Sequence, residues 1–238
     1  MNADFGKLYL IPTRLGDNPP LEVLPISVKK IIELVDDYIV ENEKTARRFI
    51  KKVDSRKQQS SLKFKVLNKY SQPEEIQHFL APCQHGKSMG LLSEAGCPGI
   101  ADPGADIVKL AHETNIQVVP LVGPSSIVLA LMSSGMNGQS FAFNGYIPID
   151  KGERKAALKK MERISFEQNQ TQLFIETPYR NNKIIEDICN ALHPQTRVCI
   201  ACDITLPTEY IKTLTVSEWK HVNIDLHKRP AIFVIHKD

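Results

Sequence analysis

Apolar positions along this chain fall into short, nearly continuous runs that alternate with longer stretches of helical period. KLYLIPT (7–13) is an apolar run closed by proline, which predicts a buried strand. In SVKKIIELVDDYIVENEKTARRFIKKV (27–53), the apolar residues Ile31, Ile32, Val35 and Ile39 fall at helical spacing, with Ser27 as the expected N-cap. DDYIVEN then reads as a strand, because TARRFIKKV restarts the helical pattern. SRKQQSSLKFKVL predicts a loop leading to a strand, and QPEEIQHFLAP a short helix with proline near its start. SMGLLSE and IQVVPLV read as strands, GADIVKLAHETN and GPSSIVLALMSSG as helices.

The second half repeats the mixture. SFAFNGYIP, TQLFIET, RVCIACDIT and RPAIFVIHK predict strands, and ERKAALKKMERI and NNKIIEDICNAL predict helices. Strands and helices in alternation define an α/β protein. A division near VPLVGP gives two domains, 1–122 and 123–238.

Composition narrows the class. The 238 residues are 42% hydrophobic and 24% charged, ordinary for a globular chain, and the net charge of +3 is far from that of a dedicated nucleic-acid binder. MNADFGKLYL lacks a basic stretch followed by a long apolar one, so no export leader is expected; no apolar run reaches membrane-spanning length. A cytoplasmic protein with five reduced cysteines follows. CIAC (199–202) resembles a zinc or redox half-site, but in a strand its two thiols point to opposite faces and no second pair completes it, so no metal is expected. Ala81–Ser88 resembles a relaxed phosphate loop. The order of elements is reversed, however, and Gly86-Lys87-Ser88 reads as a helix-to-strand turn.

Three turns rich in glycine and proline stand at the carboxyl ends of predicted strands: IPTRLGD (11–17), SEAGCPGIADPG (93–104) and PLVGPSS (120–126). Ligands of open α/β sheets collect at such ends. None of the three is a GxGxxG, so a dinucleotide site lacks its fingerprint. Two basic stretches, TARRFIKKVDSRK and KGERKAALKKMER, are candidate phosphate-facing surfaces; on the second, Lys151, Arg154, Lys155 and Lys159 could form a stripe.

With these turns, FAFNGYIP and ETPYR complete a pattern that resembles the tetrapyrrole methylase superfamily, from Lys7 to about Phe233. The branch it is most similar to is the ribosomal RNA ribose 2′-O-methyltransferase, which modifies a cytidine of the small subunit. The resemblance implies two α/β domains, each a mixed sheet flanked by helices. It also implies S-adenosylmethionine in the cleft between the domains, and a homodimer. The positions matching the family's cofactor contacts are Pro12, Gly96, Cys97, Ile100, Ser125, Ser126, Thr177 and Ala231. Glu176 and Arg180 of ETPYR are the first candidates for a base or orienting carboxylate and for an anion clamp. Glu41, Glu94 and Lys44 are further candidates.

The chain departs from the branch at several places. Glu41-Asn42-Glu43-Lys44 stands where an E-D-T-R is usual, Asp203-Ile204-Thr205-Leu206 replaces E-L-T-K, and Arg229-Pro230 replaces a Gly-Glu. The expected acceptor is small-subunit ribosomal RNA. The alternatives are a tetrapyrrole or corrin precursor, or a divergent protein that binds cofactor or RNA with little catalysis.

Overall fold

A computed structural model describes residues 5–68 and 70–238. The expectation about an export leader rests partly on residues 1–4, outside the described residues. The chain divides into two compact units, residues 1–125 and 126–238.

In the first unit the elements run β1 (Leu8–Ile11), α1 (Pro20–Val23), α2 (Ile26–Leu34), β2 (Asp37–Val40), α3 (Glu43–Val53), β3 (Lys63–Val66), α4 (Pro73–Ile76), α5 (Ala81–Gln84), β4 (Met89–Leu92), α6 (Gly104–Glu113) and β5 (Val118–Pro120). The sheet order is β3-β2-β4-β1-β5. Every pairing in it is parallel, a more uniform sheet than the expected mixed one. A parallel sheet needs both faces covered, which explains the near-continuous apolar runs. On one face Ile11, Tyr38, Val40 and Leu92 meet Val28, Ile32, Phe49 and Ile50 of α2 and α3. On the other, Leu8, Ile39, Met89 and Leu91 meet Ile107 and Ala111 of α6. Gly90 lies mid-strand because a Cβ there would stand within 2.9 Å of the Ile11 and Tyr38 side chains.

Two local expectations change and a third holds. Pro25, not Ser27, precedes the first turn of α2, and no side chain among the described residues caps it. The Val28 amide donates instead to the Pro25 carbonyl, at 3.0 Å. The helix expected over 72–82 is two single turns, α4 and α5, joined by a bend that buries Phe79 and Leu80. The Gly86–Ser88 segment is the anticipated turn into β4, with Gly86 at φ +79°.

The second unit contains α7 (Ser126–Ser134), β6 (Phe141–Tyr146), α8 (Lys151–Gln168), β7 (Thr171–Ile175), α9 (Asn181–Ala191), β8 (Arg197–Cys202), β9 (Tyr210–Thr215), α10 (Val216–Trp219) and β10 (Ala231–His236). Its sheet, β6-β7-β10-β8-β9, is mixed: β6 and β7 are parallel, and the other pairings antiparallel. Phe174 stacks on Phe233 at 5.2 Å within the core, and the buried Trp219 indole donates to the Val198 carbonyl at 2.9 Å. Arg154 is withdrawn from the expected basic stripe of α8. Its guanidinium is buried, donates to Asp187 Oδ2 at 2.7 Å and to the carbonyls of Pro148 and Ile149, and ties α8 to α9. No helix among the described residues is long and apolar enough to cross a membrane.

Candidate active site

The carboxyl ends of β1, β4 and β5 bring the three glycine- and proline-bearing turns of the first unit together. The Thr13 amide donates to the Gly96 carbonyl at 2.9 Å, and the Ser93 hydroxyl donates to the same oxygen at 3.0 Å. Cys97 Sγ donates to the Pro124 carbonyl at 3.4 Å. Gly123 lies flat against Pro12: a Cβ there would stand 2.2 Å from Pro12 Cγ. Gly96 takes φ +75°, a conformation that favours glycine. Asp102 Oδ1 accepts from the amides of Gly99 and Gly104, both at 2.8 Å, and closes the central turn on itself. Pro12, Gly96 and Cys97 are thus neighbours, while Ile100 projects outward, 51% exposed. Burial raises the Cys97 thiol pKa, so its role there is that of a small neutral side chain.

Beside these turns lies a cleft of about 220 Å³, over the carboxyl ends of β2, β4 and β1 and against α3. Thr13, Arg14, Thr45, Arg48, Ser93 and Glu94 line it. Asn42 caps α3, accepting from the Lys44 and Thr45 amides at 2.9 and 3.2 Å. The departure from E-D-T-R at this position therefore preserves a good cap. The Thr45 hydroxyl donates to Glu94 Oε1 at 2.6 Å, and the Glu94 amide donates to Glu41 Oε1 at 3.3 Å. Burial raises the Glu41 carboxyl above its usual range, and the charges of Asp102 and Glu94 add to that; the Glu94 amide opposes it.

In the second unit the turn after β7 holds Glu176, Thr177 and Arg180. Glu176 is fully buried at its side chain; its Oε1 accepts from the Thr177 amide at 2.6 Å and from Arg180 at 2.5 Å. The four-residue spacing allows such contact along a helix. Instead a turn closed by Arg180 N to the Thr177 carbonyl, at 2.9 Å, brings the pair together. Glu176 Oε2 and Arg180 Nε are buried without hydrogen-bond partners among the described residues. Ala231 lies at the start of β10, one step from the Ile232–Ile175 pairing with β7, so it adjoins this turn. Asn181 Nδ2 donates to the Arg229 carbonyl at 2.6 Å, and the Lys228 amide to the Pro178 carbonyl at 3.0 Å, which joins the two turns. Ser126 opens α7 in this unit.

Two of the departures from the family pattern meet in space. Arg229 Nε donates to Asp203 Oδ2 at 2.7 Å, and Arg229 also reaches the carbonyls of Thr208 and Asp225. Asp203 at φ +50° and Thr205 at φ +74° give the turn after β8 its shape. Among the described residues no group of histidine, cysteine, aspartate or glutamate could hold a metal ion.

Of the cleft residues, Thr13, Arg14 and Ser93 were legible as members of two glycine- and proline-bearing turns, whereas Thr45 carried no signal of its own. Arg48 was legible only as part of a basic stretch. Most of that stretch is neutralised: Arg47 pairs with Glu43, Lys52 with Asp17 and Lys57 with Asp36.

A parallel α/β unit with glycine turns at its strand ends, followed by a mixed-sheet unit, is the architecture of a transmethylase family. The model of that family, Tetrapyrrole (Corrin/Porphyrin) Methylases, matches residues 21–220, and the chain belongs to it. It is a methyltransferase. Among curated relatives, the chain is 25% identical over 232 residues to Ribosomal RNA small subunit methyltransferase I of Vibrio cholerae, covering 96% of this chain and 76% of that one. It is 30% identical to the protein of the same name from Streptococcus pyogenes serotype M6, covering 90% and 70%. Of solved structures, the cobalt precorrin-4 methyltransferase CbiF matches with a TM-score of 0.61 and 16% identity, over 97% of this chain and 94% of that one. The methyltransferase CobJ matches with a TM-score of 0.64 and 13% identity, over 98% and 94%. At these identities the solved structures speak to the fold alone.

Proposed function

We propose that this protein transfers a methyl group from S-adenosylmethionine to a ribose 2′-hydroxyl of small-subunit ribosomal RNA. The observation that carries this reading is the chain-long likeness to relatives named for methylating that RNA. The proposed cofactor contacts are Pro12, Gly96, Cys97, Ile100 and Ser125 of the first unit, and Ser126, Thr177 and Ala231 of the second. The turns are compatible with such a group: Gly96 at φ +75° and Gly123 against the Pro12 ring leave no room for a side chain, so the turns present backbone at these points.

The bound cofactor supplies an electrophilic methyl with a good leaving group, so positioning contributes much of the acceleration. The 2′-oxygen forms a bond to the methyl carbon as the carbon–sulfur bond breaks, and the hydroxyl proton leaves to a base or to water. Glu176 suits an orienting role better than that of a base, because Arg180 and the Thr177 amide hold one of its oxygens. It fixes the turn that presents Thr177.

The corrin alternative is disfavoured because the curated relatives are named for ribosomal RNA, while the corrin enzymes are alike in fold alone. We further propose a cytoplasmic homodimer; Met132 (72% exposed) and Ile149 (76%) supply apolar surface for it. Light scattering at micromolar concentration tests the assembly. The function is tested by offering labelled S-adenosylmethionine with unmodified small ribosomal subunits or with a corrin precursor. Label on a ribose of the RNA supports the proposal; label on the corrin alone, or on neither, refutes it.

A further inference from the structure

On α8 the structure leaves a row of cations without counter-charges. Arg154 is held by Asp187, but Lys151, Lys155 and Lys159 are exposed and have no ion pair among the described residues. They recur every fourth residue, so they stand on one flank of the helix, about 6 Å apart along its axis. Arg163 continues the row, 66% exposed, with Glu167 at 3.9 Å. The acid that shares this flank, Glu162, is turned aside: its Oε1 accepts from the His193 amide at 2.7 Å and from the Thr196 hydroxyl. In the first unit, by contrast, the basic stretch on and after α3 is mostly paired with carboxylates.

A lysine row alone describes a solvated helix face. Phe166 sets this flank apart. It lies on the same flank, in the last turn of α8, 60% exposed, and Lys237 Nζ stands 5.5 Å from its ring centroid. An exposed aromatic ring beside cations offers a base a stacking surface, and a row of cations tracks a phosphate backbone. The row also has a direction. β6 and β7 are parallel, so α8, which joins them, runs antiparallel to both, away from the strand ends after which Thr177 stands.

We infer that the outer flank of α8 binds a single-stranded segment of the RNA acceptor, with Lys151, Lys155 and Lys159 on successive phosphates and one base stacked on Phe166. The inference rests on the RNA reading above and adds a surface to it: the strand starts at the end of the sheet that bears Thr177 and is led away along the helix. Recognition here is by charge and stacking, so it is indifferent to sequence. An unpaired strand suits it, because its bases can be splayed out onto an aromatic ring; the bases of a duplex are stacked on one another and do not reach Phe166.

The test is fluorescence anisotropy of the full chain with a short labelled RNA, unpaired or annealed to its complement, over a series of salt concentrations. The unpaired strand should bind more tightly than the duplex. Lys155→Gln should weaken it and reduce the slope of log affinity against log salt by about 0.7, the value of one phosphate contact on a single strand. Lys160→Gln removes the same charge from the flank of Glu153 and Glu167, and should leave the slope unchanged. Phe166→Ala should weaken the unpaired strand about tenfold, by loss of one stacked base, without altering the slope. All three side chains are exposed, so the variants should fold, which circular dichroism checks. Equal slopes for Lys155→Gln and Lys160→Gln, equal affinity for strand and duplex, or wild-type affinity in Phe166→Ala overturns the inference. Binding to anionic vesicles but not to RNA overturns it too. Any of these failures alongside methylation of subunits overturns the α8 surface alone. The expected pattern without methyl transfer to subunits supports the surface and overturns the proposed reaction.

Discussion

Replacing Gly123 by alanine tests whether the three turns form one fitted unit. The new Cβ would stand 2.2 Å from Pro12 Cγ and 2.3 Å from Pro12 Cβ, against a practical limit of 3.0 Å. One turn must therefore retreat by about 1 Å. The Pro12 ring has no rotamer into which to swing away. The strain then passes to the Thr13–Gly96 and Cys97–Pro124 hydrogen bonds, which brace the turns on either side. Overpacking of this kind costs about 1–3 kcal/mol. For a chain of this size that lowers the thermal midpoint by several degrees. Displacement of the proposed cofactor contacts should also weaken S-adenosylmethionine binding at least tenfold. The control is Gly138→Ala, where a Cβ meets nothing within 4 Å and stability should stay within about 0.5 kcal/mol. Urea unfolding and calorimetric titration of both variants give the two readouts. Wild-type stability for Gly123→Ala would refute the packing argument. Lost stability with unchanged cofactor affinity would refute the placement of the cofactor at this turn.

Asp187→Ala leaves the buried Arg154 guanidinium without its carboxylate and should cost about 3–5 kcal/mol by urea unfolding, whereas the paired change Arg154→Met with Asp187→Leu should cost far less. His236 is 2% exposed, and burial, together with the charge of Arg197, lowers its pKa below the ordinary 6.5. The unfolded chain therefore takes up the proton first, so stability should fall as pH drops below about 6.5 and level off beneath the folded value, and His236→Gln should flatten that slope. Burial pushes the Cys83 and Cys202 thiols up to about 11; with Cys199 they should resist iodoacetamide at pH 8 until the chain unfolds, as mass spectrometry of the labelled peptides would show.

The elements legible in the sequence are those whose burial is uniform. β1, β4 and β10 are covered on both faces or pressed into the core, and their apolar runs are unbroken. β9 went unseen because YIKTLT is a half-exposed edge strand that mixes a lysine and three hydroxyl or phenol groups with its aliphatic residues. The turns that meet near Pro12 and Gly96 were readable because glycine and proline mark backbone geometry locally. Their sharing of a cleft with α3 was not, since Thr13 and Glu94 follow β1 and β4, Arg48 lies on α3 after β2, and the three are brought together only through the order β2-β4-β1. The Glu176–Arg180 pairing depends on a turn whose closing hydrogen bond no periodicity reveals.

The Asp203–Arg229 pair has a practical consequence for protein grafting. The carboxylate is 8% exposed at its side chain, and the two residues lie on segments 26 positions apart. A chimera that takes the segment after β8 from a relative, but keeps its own 228–230 turn, would bring together charges that were never selected as a set. The two segments should therefore be exchanged as one cassette.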